Sequence, residues 1–93
     1  MTIKTIADIT PGGAAVALSN DPNEKAVFID MAASGSTVRT GDINVGAGRG
    51  VLLQAGVLCT PYPRQSNDQQ PYPLSAVYVY ATGGDKVSIT YGV

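Results

Sequence analysis

Along most of this chain apolar and polar positions alternate with the two-residue period of a half-buried β-strand, and turn-forming residues cut the alternation at spacings of about 8–12 residues. Residues 3–9 (Ile-Lys-Thr-Ile-Ala-Asp-Ile) predict an imperfect opening strand. Gly12-Gly13 ends it, and residues 14–18 predict a short second strand. Residues 19–24, Ser-Asn-Asp-Pro-Asn-Glu, are dense in turn formers and predict a loop. Residues 25–32 follow with Val27, Ile29 and Met31 on one face and Phe28 and Asp30 on the other. Ser34-Gly35-Ser36 is a turn, and residues 37–40 return, which predicts a hairpin. Gly41-Asp42 leads into Ile43-Asn44-Val45, and the bulk-free stretch 46–50 (Gly-Ala-Gly-Arg-Gly) leads to a strand at 51–53. Gln54-Ala55-Gly56 turns the chain into a strand at 57–60. Residues 76–91 (Ala-Val-Tyr-Val-Tyr-Ala-Thr-Gly-Gly-Asp-Lys-Val-Ser-Ile-Thr-Tyr) set two β-branched and aromatic runs about a Gly-Gly-Asp turn, the pattern of a β-hairpin.

Residues 60–73 break this rhythm. They carry Pro61, Pro63, Pro71 and Pro73, no aliphatic side chain, and Pro-Tyr-Pro twice. Proline fixes φ and donates no hydrogen bond, so the segment is excluded from a central strand and predicts a long loop with a solvated tip at 66–70. Tyr62 and Tyr72, each between prolines, either pack the loop base onto the sheet or reach toward a partner. No stretch has helical period, and Gly, Thr, Val and Ser are poor interior helix residues. The expectation is therefore an all-β fold, a small β-sandwich or barrel of about 6–8 short antiparallel strands with a long proline-rich loop, making a single domain over 1–93. Expected core faces are Ile3/Ile6/Ile9, Val27/Ile29/Met31, Val38, Leu52/Leu53, Val77/Val79 and Val87/Ile89. Tyr78, Tyr80 and Tyr91 are expected to stack across strands.

Composition narrows the chemistry. Charged residues are 14% of the chain, against roughly 25% in an ordinary soluble domain. Such a thinly charged surface is poorly protected against association, so partner surfaces are expected to cover part of it. The six basic residues are scattered and no two are adjacent, so no basic stripe exists to neutralise phosphates and no nucleic-acid partner is expected. No apolar run approaches the ~20 residues of a membrane span, and the first residues lack the pattern of a signal peptide. Cys59, the only cysteine, sits among apolar residues and reads as core filler made in a reducing cytoplasm.

Candidate catalytic chemistry is scarce. The chain has no histidine, so acid–base work near neutral pH would need a strongly shifted carboxylate or lysine, and the carboxylates do not cluster in sequence. Gly46, Gly48 and Gly50 fail as a dinucleotide loop, because Val51 takes the third glycine position and a strand follows where a helix is needed. Residues 21–24 and 41–44 would offer a calcium ion hard oxygens, but Asp and Asn at turns need no metal to explain them. Arg39 and Asp42 are placed to pair across a tight corner. The expectation is no enzyme, no cofactor and no metal.

The succession Val38-Arg39-Thr40-Gly41-Asp42, then residues 49–56 (Arg-Gly-Val-Leu-Leu-Gln-Ala-Gly), then 74–80 (Leu-Ser-Ala-Val-Tyr-Val-Tyr) and 84–93 (Gly-Asp-Lys-Val-Ser-Ile-Thr-Tyr-Gly-Val), resembles small structural proteins of tailed bacteriophages. Those show V-R-V-G-D, R-G-x-x-L-x-A-G, a proline-rich loop, L-S-x-I-Y-V-Y and a closing G-D-K-V-S-V-x-Y-G. The likeness covers roughly the C-terminal two thirds. Thr40 departs from it where an apolar residue follows the arginine, as does the doubled Pro-Tyr-Pro. It implies a virion structural protein, made in the host bacterial cytoplasm, that decorates or cements the capsid by binding the lattice of the major capsid protein. A homo-oligomer, with a trimer favoured for threefold lattice positions, goes with that role. Tyr62, Arg64 and Tyr72 are the expected partner contacts, since aromatic residues and arginine dominate interface energetics. The alternatives are a head–tail connector or tail component, and a fibre or spike β-module binding host surface carbohydrate.

Overall fold

Alternation of side chains is what the structure, a computed structural model, turns into sheets; it describes residues 2–66 and 69–93. Asn67 and Asp68, at the expected tip of the proline loop, lie outside the described residues. The strands are β1 (Ile3–Ile9), β2 (Val16–Ala17), β3 (Lys25–Ala26), β4 (Phe28–Ala33), β5 (Arg39–Gly41), β6 (Val51–Leu52), β7 (Leu58–Tyr62), β8 (Tyr72–Pro73), β9 (Tyr78–Tyr80) and β10 (Val87–Gly92), with one 3-10 turn at Leu74–Ala76. The fold is all-β, as the period predicts. Among the described residues there are ten strands where six to eight are expected, because Val27 leaves the ladder and divides β3 from β4, and because β8 pairs with β3.

Pairing is nested. β1 lies against β10, β2 against β9, β3 against β8, β4 against β7 and β5 against β6, every pair antiparallel. The chain is thus one long ribbon closed at residues 42–50. Its two ends meet through Thr2 N–H donating to Val93 O at 3.0 Å and Val93 N–H to Thr2 O at 2.9 Å. The ribbon wraps on itself where β10 also pairs β4 and β5 also pairs β9. Two four-stranded sheets result, ordered β1-β10-β4-β7 and β2-β9-β5-β6, which is the winding of a jelly roll.

That winding corrects two expected hairpins. Residues 25–32 and 37–40 do not pair, and neither do the two runs about Gly83-Gly84-Asp85: β4 and β10 lie in one sheet, β5 and β9 in the other. Both turns are arches that carry the chain across the sandwich. Turn residues permit a reversal but do not choose its plane, so a hairpin and an arch look alike in sequence. Expected stacking among Tyr78, Tyr80 and Tyr91 fails for the same reason. Tyr91 belongs to the sheet with β1 and is buried, whereas Tyr78 and Tyr80 sit half-buried in the other sheet.

One core fills the space between the sheets, built from Ile29, Met31 and Ala33 of β4, Val87, Ile89 and Tyr91 of β10, Val79 of β9, and Leu18, Val38, Leu53, Leu74, Val77 and Ala81 near strand ends. Ile6 and Ile9 pack at its margin, but Ile3 and Leu52 are more than half exposed, against expectation. The register pairs Ile3 with Gly92 and Leu52 with Arg39, on the side of each pleat turned away from the other sheet. Thr40 is the one buried polar residue of β5. Its hydroxyl donates to Tyr78 O at 3.0 Å, so the Tyr62 hydroxyl, also at 3.0 Å, must be the donor to Thr40 Oγ1.

Two tyrosines make stability depend on alkaline pH. Burial pushes the Tyr91 phenol up, and its hydrogen bond to Glu24 Oε1 at 3.0 Å and the charge of Glu24 push it further. Burial also pushes Tyr62 up; its bond with Thr40 opposes this, while Asp42 and Tyr72 add to it. Both folded-state values lie above the unfolded one, so their contribution is complete below about pH 10 and is lost as pH climbs through the raised values. Urea unfolding is expected to give a falling midpoint from about pH 10 upward, and Tyr91→Phe should flatten that fall. An unchanged slope in Tyr91→Phe would remove Tyr91 as its source.

Candidate functional site

The proline loop begins inside β7. A register shift sets Thr60 and Pro61 opposite the single residue Asp30, so the residue without an N–H occupies a bulge on an edge strand. Tyr62 then lies opposite Ile29, half-buried against the core. Tyr72 returns in β8 opposite Ala26, and its hydroxyl donates to Pro63 O at 3.0 Å. The two rings meet edge to face, 5.4 Å apart at 71°, an arrangement that contributes about 0.5–1.5 kcal/mol beyond burial. Gln65 N–H donates to Val27 O at 3.0 Å and ties the loop to the break between β3 and β4. Of the two roles open to the tyrosines, the structure puts both at the loop base. Arg64 is exposed beside them. The three expected contact residues are thus close in the chain but unequal, two half-buried and one outward.

A second surface escaped the sequence. Leu52 was expected in the core and residues 57–60 in an ordinary strand. Yet Ile43 (65% exposed), Val51 (60%), Leu52 (53%), Val57 (44%) and Leu58 (68%) are all uncovered. They belong to the connection 42–50, to β6, to the end of the 53–57 connection and to the start of β7, and β6 and β7 are the edge strands of their respective sheets. Residues 53–57 join the two edges, so these side chains lie about one edge of the sandwich, with Leu52 on the outer face of one sheet and Leu58 on the outer face of the other. Among residues 43–63 Arg49 is the only charge, so little on this flank holds water against an apolar contact. The signal available in sequence was that charge gap.

The opposite flank is built differently. Lys4 of β1 sits opposite buried Tyr91, and a register shift places Ala7 and Asp8 opposite Ser88, whose hydroxyl donates to Asp8 Oδ1 at 3.1 Å. An inward-register charge and a bulge are the devices that keep an edge strand from pairing with another chain.

Between the bare flank and the outer face of the β5–β9 pair lies a pocket of about 220 Å³, lined by Thr37, Arg39, Ala47, Gly48, Leu52, Tyr80 and Thr82. Arg39 stands across from Tyr80 on one side and Leu52 on the other. Its guanidinium donates to Gly50 O at 3.2 Å rather than to Asp42, whose Oδ1 accepts from Asn44 N–H at 2.9 Å. The expected Arg39–Asp42 pair is not made. With most donors unused, the pocket suits one inserted side chain or a single small ring more than a larger ligand.

Asp21 closes its turn by accepting Asn23 N–H at 2.9 Å, as Asp42 does with Asn44. Among the described residues no group of three or more His, Cys, Asp or Glu is placed to hold a metal ion. Cys59 is half-buried and its thiol donates to Met31 O at 3.3 Å. The chain matches no family model, no curated protein and no solved structure.

Proposed function

We propose that this protein is a structural component of a bacteriophage virion that decorates and stabilises the capsid by binding the lattice of the major capsid protein, as a homo-oligomer for which a trimer fits threefold positions. The observation that carries the reading is the thinly charged, apolar flank joining the edges of both sheets, which gives the chain a surface for contact. Its likeness in sequence to small phage structural proteins supplies the setting. A jelly roll hosts many functions, so the fold by itself argues for none of them. A cement works by modest contacts repeated over a lattice, where avidity multiplies weak affinity. The proline loop, with Arg64 outward and Tyr62 and Tyr72 bracing its base, is the proposed contact to the shell.

Copy number in purified particles tests this. Quantitative mass spectrometry should give an amount comparable to the major shell protein. A few copies per particle would move the protein to the head–tail connector or tail, and absence would overturn the virion reading. A second reading, a fibre module for surface carbohydrate, is favoured by Tyr80 and Arg39 in the small pocket, and a glycan array reads it directly.

A further inference from the structure

We infer that the flank formed by the 42–50 connection, β6 and the start of β7 is where copies of this chain meet one another. The inference names the surface used by the proposed homo-oligomer and rests on that part of the reading alone, not on the virion setting.

Among the described residues, five of the seven large apolar side chains that stand exposed lie between residues 43 and 58; the other two are Ile3 and Val93. Scatter is ordinary on a protein surface, whereas these five lie about one edge, Leu52 and Leu58 standing on its two sides, so that a second copy seated on the edge reaches both. The fold protects the β1 edge with Lys4 and the Ala7–Asp8 bulge. On the other flank Pro61 spoils β7 as a template for strand addition, yet Val51, Leu52, Val57 and Leu58 before it stand uncovered. The flank is thus shaped for side-chain packing more than for extending a sheet.

Charge identifies the occupant. Asp42 and Arg49 bracket the 43–48 segment with opposite signs, both are exposed, and among the described residues neither forms an ion pair. Arg39 nearby also has no carboxylate partner among those residues. A surface holding its own unpaired plus and minus is complementary to a second copy of itself, since in an assembly of identical chains Asp42 of one copy meets an arginine of the next. A strongly acidic or basic partner would leave one of these signs opposed.

Sedimentation equilibrium on the full chain, with Leu58→Lys, Leu52→Lys and Ile3→Lys, tests this. The replaced residues are all more than half exposed, so each variant should keep the native circular dichroism. The wild type should be an oligomer. Leu58→Lys and Leu52→Lys should each weaken assembly about tenfold or more, while Ile3→Lys leaves it unchanged. Asp42→Arg and Arg49→Asp should each weaken it, and the double variant should recover part of the loss, a readout that does not depend on the leucines. A monomeric wild type, or an oligomer indifferent to all the flank variants, would overturn the inference. A monomer found at shell-protein copy number in particles would overturn this inference while leaving decoration intact; an oligomer through this flank that is absent from particles would do the reverse.

Discussion

Gly50→Ala is expected to destabilise the protein by about 3 kcal/mol, out of a total of roughly 5–14 kcal/mol for a chain of this length. Gly50 has φ +94°, a conformation that side-chain-bearing residues rarely adopt, and a Cβ there would sit 2.6 Å from Thr40 O and 2.6 Å from Val45 Cγ2. One of those contacts is backbone of the central strand β5 and cannot swing aside. The other belongs to Val45, which is buried. Relief would have to come from moving β6 off β5, which is the closed end of the whole ribbon. A thermal melt should show Tm falling by roughly 15 °C. Gly48→Ala is the matched control. Gly48 also has positive φ, +78°, but nothing lies within 4 Å of its Cβ position, so only the backbone term of about 1 kcal/mol should appear. Equal losses in the two variants would show that the approach of Gly50 to Thr40 is not what matters.

The second large effect is expected at Asp85, with Asp85→Ala costing about 2 kcal/mol. Its Oδ2 accepts from Thr37 N–H at 3.2 Å and from the Thr37 hydroxyl at 2.6 Å. Thr37 Oγ1 is also 3.3 Å from Thr82 O, but a hydroxyl has one proton, and the shorter bond to a charge takes it. Thr82 N–H then donates to the same Oγ1 at 3.0 Å. One carboxylate therefore locks together the arches 34–38 and 81–86, both of which cross between the sheets. Each charge-assisted bond is worth about 1.5–3 kcal/mol, less what water returns to groups at the surface. Gly35 makes the test sharper. A Cβ on Gly35 would overlap the Asp85 carboxylate, so Gly35→Ala should be costly in the wild type and nearly harmless in Asp85→Ala. Chemical denaturation of the four proteins gives the coupling, and additive losses would disprove the lock.

Much of the fold was legible from period two alone. The runs at 3–9, 14–18 and 51–53 each contain a strand, as does each run of 76–91, and Val38, Ile29, Met31, Val79, Val87 and Ile89 are buried as expected. Which strand pairs with which was not legible. Of the nested pairs only β5 with β6 is local, and the others join residues from the two halves of the chain, where alternation carries no address. The same gap hid the bare flank. Leu52 and Leu53 are equally apolar, and only the register, which sets Leu52 opposite outward Arg39, decides that Leu53 is buried and Leu52 is not. For the proline loop, the four prolines located it, but the T-shaped meeting of Tyr62 with Tyr72 depends on β8 returning beside Ala26, which no local pattern announces. Asp85 reads in sequence as a turn former, and its grip on Thr37 comes from an arch 48 residues away.

The ribbon with its ends in contact also sets an order of events during synthesis. Ile3 must wait for Gly92, and Val16 for Val79, while Arg39 has Leu52 within reach almost at once. At about 5–20 residues per second, β1 spends several seconds as an unpaired, apolar strand after leaving the ribosome. The protein cannot close its core piecemeal as it is made. Of the nested pairs only β5 with β6 can meet early, and residues 87–92 complete the sheet that β1 and β4 wait to join.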